Sequence, residues 1–223
     1  MIKRFLKAGV VEEGQLQASG EGTPQGGGCL GAARFIRYAD DFVVCFEKRA
    51  DAERFLAELI ERLAKFGLEV EPSKTKVLAF GPRAAEQARQ QGGRRPETFD
   101  FLGFTHYCSR SRNGRRFRMK RVTARKQFRA KLAAFQEWLK ESRAKMKNRE
   151  LWQVACGKLR GHYAYYGVTD NSAGIARYAY QARMLLFKWL NRQGGKRRMN
   201  WEKFARMEKR FPLPQPRITV HLF

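Results

Sequence analysis

Phe35-Ile36-Arg37-Tyr38-Ala39-Asp40-Asp41-Phe42-Val43-Val44-Cys45-Phe46 decides the fold, because two apolar runs flank a pair of adjacent acids. Both runs are rich in β-branched and aromatic residues and read as short strands, with Ala39-Asp40-Asp41 at the bend between them. Ionised carboxylates held close together repel and resist desolvation. A bound Mg²⁺, which prefers oxygen ligands, removes both penalties, and phosphoryl and nucleotidyl transfer use acids in this way. An ordinary Asp-Asp turn is the alternative, since Asp is favoured in turns.

The charge of the chain narrows the choice of partner. Its 223 residues suffice for one large domain or two small ones, and 43% hydrophobic residues suffice for a core. The formal net charge is +25, from 46 Lys and Arg against 21 Asp and Glu. That excess is more than solubility requires and implies a polyanionic partner, with nucleic acid first. It is concentrated: between Arg110 and Arg149 stand sixteen basic residues and two acids, Glu137 and Glu141. An anionic membrane face is the competing reading. No apolar run approaches the length that spans a bilayer, and no signal-peptide pattern opens the chain.

Cysteine and histidine usage excludes chemistry. Cys29, Cys45, Cys108 and Cys156 are scattered with no Cys-x-x-Cys pair, and His106, His162 and His221 lie far apart, so a zinc site is not expected. The cysteines read as small buried apolar residues of a reducing compartment. No Cys-His or Ser-His-Asp pattern supports a hydrolase.

Outward from the acid pair, Met1 to Ala33 reads mostly as loop, with the glycine-rich Gly22-Thr23-Pro24-Gln25-Gly26-Gly27-Gly28. An amphipathic helix follows the strand pair from about Ala50 to Phe66, stopped by Gly67. Leu68-Glu69-Val70 and Lys76-Val77-Leu78-Ala79-Phe80 read as strands about Pro72-Ser73-Lys74-Thr75, which gives an α+β domain. Gly81 to Thr98 reads as a polar connection. Phe99 to Cys108 and Arg115 to Val122 read as a hairpin around Asn113-Gly114, with Thr123 available to cap the next helix. There Phe128, Leu132, Phe135 and Leu139 form one face, while Arg125, Lys126, Arg129 and Lys131 fall between them. Leu151 to Tyr166 and Ala173 to Leu190 read as helices. Gly194 to Arg198 links to a short helix with Trp201, Phe204 and Met207, and Ile218-Thr219-Val220 can form a last strand.

Taken in order, these motifs resemble the reverse transcriptases encoded by bacterial group II introns, the intron maturases, over nearly the whole chain. Gly22 to Gly27 resembles the family's loop that touches template and incoming nucleotide. Tyr38-Ala39-Asp40-Asp41 resembles its metal-binding hairpin, and Gly67-Leu68 with Pro72-Ser73-Lys74-Thr75 the palm motif after it. Phe99-Asp100-Phe101-Leu102-Gly103-Phe104 resembles the primer grip, and Leu159-Arg160-Gly161-His162-Tyr163-Ala164-Tyr165-Tyr166 the thumb signature.

The resemblance implies RNA-directed DNA polymerisation and intron RNA splicing, with an α+β fold: a partial palm of antiparallel sheet plus helix over 1–122, then an α-helical thumb or maturase domain over 123–223. It implies that Asp40 and Asp41 hold catalytic Mg²⁺. Lys74 would serve near the triphosphate, or be a plain surface lysine. Thr23, Pro24, Gln25, Gly26 and Gly27 would bind nucleotide and template, or be a plain flexible loop, and Phe101, Leu102 and Gly103 would grip the primer. Arg125, Lys126 and Arg129 would bind RNA. Tyr165 and Tyr166 are packing residues before they are base-stacking ones. The implied partners are group II intron RNA, an RNA template and a DNA primer, in a bacterial cytoplasmic ribonucleoprotein with no membrane.

The chain also departs from the family. The family draws a further aspartate from a palm strand ahead of the glycine-rich loop, and no such strand is read here. Only Gly28 to Ile36 separates that loop from the acid pair, where the family has a long helix, so an internal deletion is expected. Both departures point to a truncated chain, leave room for a second polypeptide supplying palm and fingers, and keep open a non-catalytic RNA-binding remnant.

Overall fold

The computed structural model describes residues 4–8, 33–38, 41–90, 92, 96–111, 113–192 and 199–222. Two compact units divide the chain: Met1–Leu102 with His106–Lys120, and Gly103–Thr105 with Arg121–Phe223.

The first unit is built on the acid-pair hairpin. Strands β2 (Arg34–Tyr38) and β3 (Asp41–Phe46) pair antiparallel, while β1 (Arg4–Ala8) lies parallel to β3 on one side and to β4 (Val77–Ala79) on the other. The sheet order is β2-β3-β1-β4. It is therefore mixed, where the sequence suggested antiparallel pairing throughout and a loop over the first residues. The cause is the crossover through α1 (Arg49–Ala64), which returns β4 in the direction of β3 and leaves one position between them for β1.

Strand β3 is buried on both faces, and alternation of its side chains serves two cores. Phe42, Val44 and Phe46 pack with Ala52, Phe55, Leu56 and Leu59 of α1, while Val43 packs with Leu78, Phe80 and Phe99. Burying each large apolar side chain of β3 contributes about 1.5–3 kcal/mol. Beyond α1, Gly67 adopts φ 65° and reverses the chain, a backbone that glycine takes at no steric cost.

Three local expectations are corrected. Leu68-Glu69-Val70 forms no strand; with Leu56, Ile60, Ala64, Pro72 and Thr75 it lines a cavity of about 440 Å³. The polar stretch after Gly81 contains helix α2 (Pro82–Gln90), which Pro82 opens at a first-turn position where its missing N–H is harmless. The expected single strand from Phe99 splits into β5 (Phe99–Phe101) and β6 (Phe104–Arg110), because Leu102 (φ 49°) and Gly103 (φ 77°) make a two-residue turn with both φ positive. Strand β7 (Phe117–Thr123) completes the order β5-β6-β7.

The second unit is helical: α3 (Arg125–Ser142), α4 (Asn148–Tyr166), α5 (Ser172–Asn191) and α6 (Trp201–Arg210). Their apolar faces meet in one core that includes Leu139, Leu151, Trp152, Leu159, Ile175, Leu186 and Phe204. Trp152 is fully enclosed, and its indole N–H donates to the Phe211 carbonyl at 2.9 Å. Truncating it to Ala costs about 3–5 kcal/mol. Asn200 caps α6 by accepting from the Lys203 N–H at 2.9 Å. Thr123 does not cap α3 as expected: β7 runs through it, and its hydroxyl accepts from Asn171 instead. The last strand expected at Ile218-Thr219-Val220 is a single parallel bridge, Val168 to Val220.

Candidate active site and nucleic-acid interface

Asp41 opens β3 directly opposite Tyr38. Two residues, Ala39 and Asp40, separate these partners; like Thr23, Pro24, Gln25, Gly26 and Gly27, they lie outside the described residues. Asp41 is half-buried, and its Oδ1 is enclosed without a hydrogen bond among the described residues. An enclosed carboxylate oxygen of this kind suits a hard cation. The described residues do not complete a metal set, because no group of three or more His, Cys, Asp or Glu side chains occurs among them. The neighbouring strands explain this: β1 (Arg-Phe-Leu-Lys-Ala), β2 (Arg-Phe-Ile-Arg-Tyr) and β4 (Val-Leu-Ala) carry no acid.

The parallel register places Lys74 at the same end of the sheet as Asp41. Val77 is level with Leu6, and Leu6 with Val44, so the residues ahead of β4 enter the sheet where β3 begins. Strand spacing sets β3 and β4 about 10 Å apart across β1. Lys74 lies on the turn that follows Glu71, its N–H donating to the Glu71 carbonyl at 3.1 Å. The Ser73 hydroxyl, donating to Glu71 Oε1 at 2.8 Å, holds the Glu71 carboxyl below its ordinary value, and the Lys74 charge adds to this.

Of the three primer-grip candidates, Phe101 ends β5 and packs against the Val43, Leu78, Phe80 and Phe99 core, and Leu102 and Gly103 form the turn. The Gly103 carbonyl accepts from the Ala124 N–H at 2.9 Å, at the start of α3. A Cβ at Gly103 would meet the Tyr166 hydroxyl at 3.1 Å, close enough that the ring must shift, and the φ of 77° there favours glycine in any case. Tyr166 is buried against Phe104, with ring centroids 5.3 Å apart, whereas Tyr165 keeps half its surface in solvent.

Arg125, Lys126 and Arg129 are all exposed on the first turns of α3, while Phe128 and Leu132 of the same helix pack inward. Cation–aromatic pairs that the sequence does not reveal also hold basic groups in place. Arg143 and Arg192 sit over Trp189 at 5.1 and 4.7 Å, and Lys158 over Trp138 at 4.9 Å. Arg192 is three residues from Trp189, but Arg143 and Lys158 lie far in the chain from their rings, so no spacing signals those two pairs.

Two further titratable groups, Cys156 and His162, are packed into the helical unit. Cys156 is buried and its thiol is pushed up by burial. His162 is stacked on Tyr178 with centroids 3.5 Å apart, and burial, aided by the Lys131 charge, pushes its imidazole down to about 4.

Residues 27–106 match the family model described as Reverse transcriptase (RNA-dependent DNA polymerase). The match spans β2, β3, α1, β4, α2, β5 and the start of β6, and so contains Asp40, Asp41 and Lys74. That stretch is similar to the reverse transcriptases, a class of RNA-directed DNA polymerases that act on template and primer strands with divalent metal ions. No curated protein and no solved structure matched the chain. Among the described residues, no helix is long and apolar enough to cross a membrane.

Proposed function

We propose that this protein is a reverse transcriptase and maturase of the group II intron type, whose helical unit binds intron RNA for splicing and retrohoming in a bacterial cytoplasmic ribonucleoprotein. One observation carries the reading: the stretch similar to reverse transcriptases contains an acid-pair hairpin whose Asp41 Oδ1 is enclosed without a hydrogen-bond partner among the described residues. On this reading Asp40 and Asp41 hold Mg²⁺, which supplies the charge that activates a primer 3′-hydroxyl and neutralises the leaving pyrophosphate. Lys74, at the same sheet end, faces the triphosphate. Thr23, Pro24, Gln25, Gly26 and Gly27 bind nucleotide and template, Phe101, Leu102 and Gly103 guide the primer, and Arg125, Lys126 and Arg129 bind RNA phosphates.

A second reading is favoured by the acid-free strands on both sides of β3: an RNA-binding protein without polymerase activity of its own. Two metals about 4 Å apart need carboxylates from more than one strand. The chain alone is therefore expected to bind intron RNA and to leave a primer unextended, and a second polypeptide is the source of the missing ligand. A primer-extension assay with Mg²⁺ or Mn²⁺, run beside an intron-RNA binding titration, tests both readings. Extension that disappears in Asp40→Ala would establish a self-sufficient polymerase. Failure to bind structured RNA at low salt would remove the maturase assignment.

A further inference from the structure

The outer face of α5 is apolar, aromatic and exposed. Tyr180 keeps 64% of its surface in solvent, Met184 37%, and Trp201 of the adjoining α6 46%. Tyr180, Met184 and Lys188 follow one another at four-residue spacing, about 6 Å along the axis, so they form one row. Trp201 is not loose. Its indole lies parallel to Phe187 of α5, with centroids 3.6 Å apart and planes 12° apart. Arg183 sits over the same indole at 5.6 Å and is itself fixed by three hydrogen bonds to Glu208, at 2.9, 3.2 and 2.8 Å.

A packing role alone does not account for this arrangement, because core aromatics of this unit such as Trp152 and Phe204 are enclosed. The charge around the row indicates the occupant. Helix α5 contains Arg177, Arg183 and Lys188 and no acid, and Arg177 and Lys188 flank Tyr180 and Met184 on the exposed face. Glu208 is neutralised by Arg183, which leaves Glu202 as the acid next to Trp201.

We propose that Tyr180, Met184 and Trp201 form a base-stacking platform for unpaired nucleotides, with Arg177 and Lys188 meeting the phosphates. Exposed rings beside cations are the arrangement that binds single-stranded nucleic acid, because every base has a π-face and every nucleotide a charge. The Trp201 ring, held in place by Phe187 and Arg183, loses little freedom when a base stacks on it. The proposal rests on the nucleic-acid-binding reading of the helical unit and adds a site separate from the α3 cations: those meet phosphates of any strand, paired or unpaired.

The test measures affinity of the full chain for three probes: oligoadenylate, an RNA duplex of equal length, and inorganic polyphosphate. Tyr180→Ala and Trp201→Ala should each weaken oligoadenylate binding about tenfold and leave duplex and polyphosphate affinities unchanged. Trp201→Phe should restore most of the loss. Tyr180 is so exposed that its truncation leaves the fold intact, which keeps the test valid if Trp201→Ala unfolds. An oligodeoxyadenylate arm shows whether the strand served is RNA or DNA, and preference for either supports the platform. Unchanged oligoadenylate binding in Tyr180→Ala, equal losses on all three probes, or self-association of the chain that Tyr180→Ala dissolves would overturn it. Wild-type binding to duplex but not to oligoadenylate refutes the platform alone, whereas binding to no nucleic acid refutes the proposed function as well.

Discussion

Asn171 and Thr123 hold each other by two hydrogen bonds. The Thr123 N–H donates to Asn171 Oδ1 at 2.9 Å, and Asn171 Nδ2 donates back to the Thr123 hydroxyl at 2.8 Å. The same amide donates to the Tyr166 carbonyl at 2.8 Å, and the residue has no exposed surface. One side chain thus joins the end of β7, the end of α4 and the start of α5. Asn171→Ala strands these groups without water and should cost about 2–4 kcal/mol. Denaturant unfolding checks this; a loss below 1 kcal/mol would mean the joint is dispensable.

His162 is expected to make the helical unit acid-sensitive. Its folded value of about 4 lies below the ordinary 6.5, so folding favours the neutral ring. The stability it contributes is complete above pH 6.5 and is lost as pH falls toward 4, by up to about 3 kcal/mol. The groups around it are Lys131, Tyr163, Tyr166 and Tyr178. The tyrosines do not charge in this window, since burial pushes Tyr163 and Tyr178 up to about 12. Unfolding midpoints between pH 7 and 4 should fall less steeply in His162→Phe. Parallel curves would assign the acid sensitivity to other groups.

The two units should differ in protection. The hairpin's cores are small clusters, and Phe35, Ile36 and Tyr38 of β2 are about half exposed or more, whereas the helical unit has one extended core. Hydrogen exchange is expected to be faster over Phe42 to Phe46 than over Phe128 to Leu139. Equal rates would contradict this ordering.

Replacing Arg125, Lys126 and Arg129 together by Ala should weaken RNA binding evenly across sequences, because phosphate contacts position without specifying. The slope of log affinity against log salt should drop by about 2–3. A titration in rising salt measures it, and an unchanged slope would place the RNA elsewhere.

Much of the fold was legible because burial follows periodicity. The continuous apolar run Phe42 to Phe46, which is buried on both faces, and the stripes of α1 and α3 appear in the sequence as they do in space. The misses have separate causes. Arg4–Ala8 is too short to signal a strand, and its partners are distant. Leu68 to Val70 has strand composition but lines a cavity. Residues 82–90 are so polar that their helix gives no apolar stripe. At the candidate site, Asp41 was visible in the acid pair, but the rings beneath Arg143 and Lys158 were not, since these pairs meet only through the packing of helices.

The position of β1 has a consequence for how the molecule is made. Leu6 pairs with Val44 and Val77, so β1 lies between two strands that are synthesised well after it. Those pairings close long loops before they gain anything, which slows folding. The helices of the other unit gain from nearby contacts and need no such wait. Although it follows the sheet in the chain, the helical unit is expected to fold first, leaving the Asp41 hairpin to settle into its sheet afterwards.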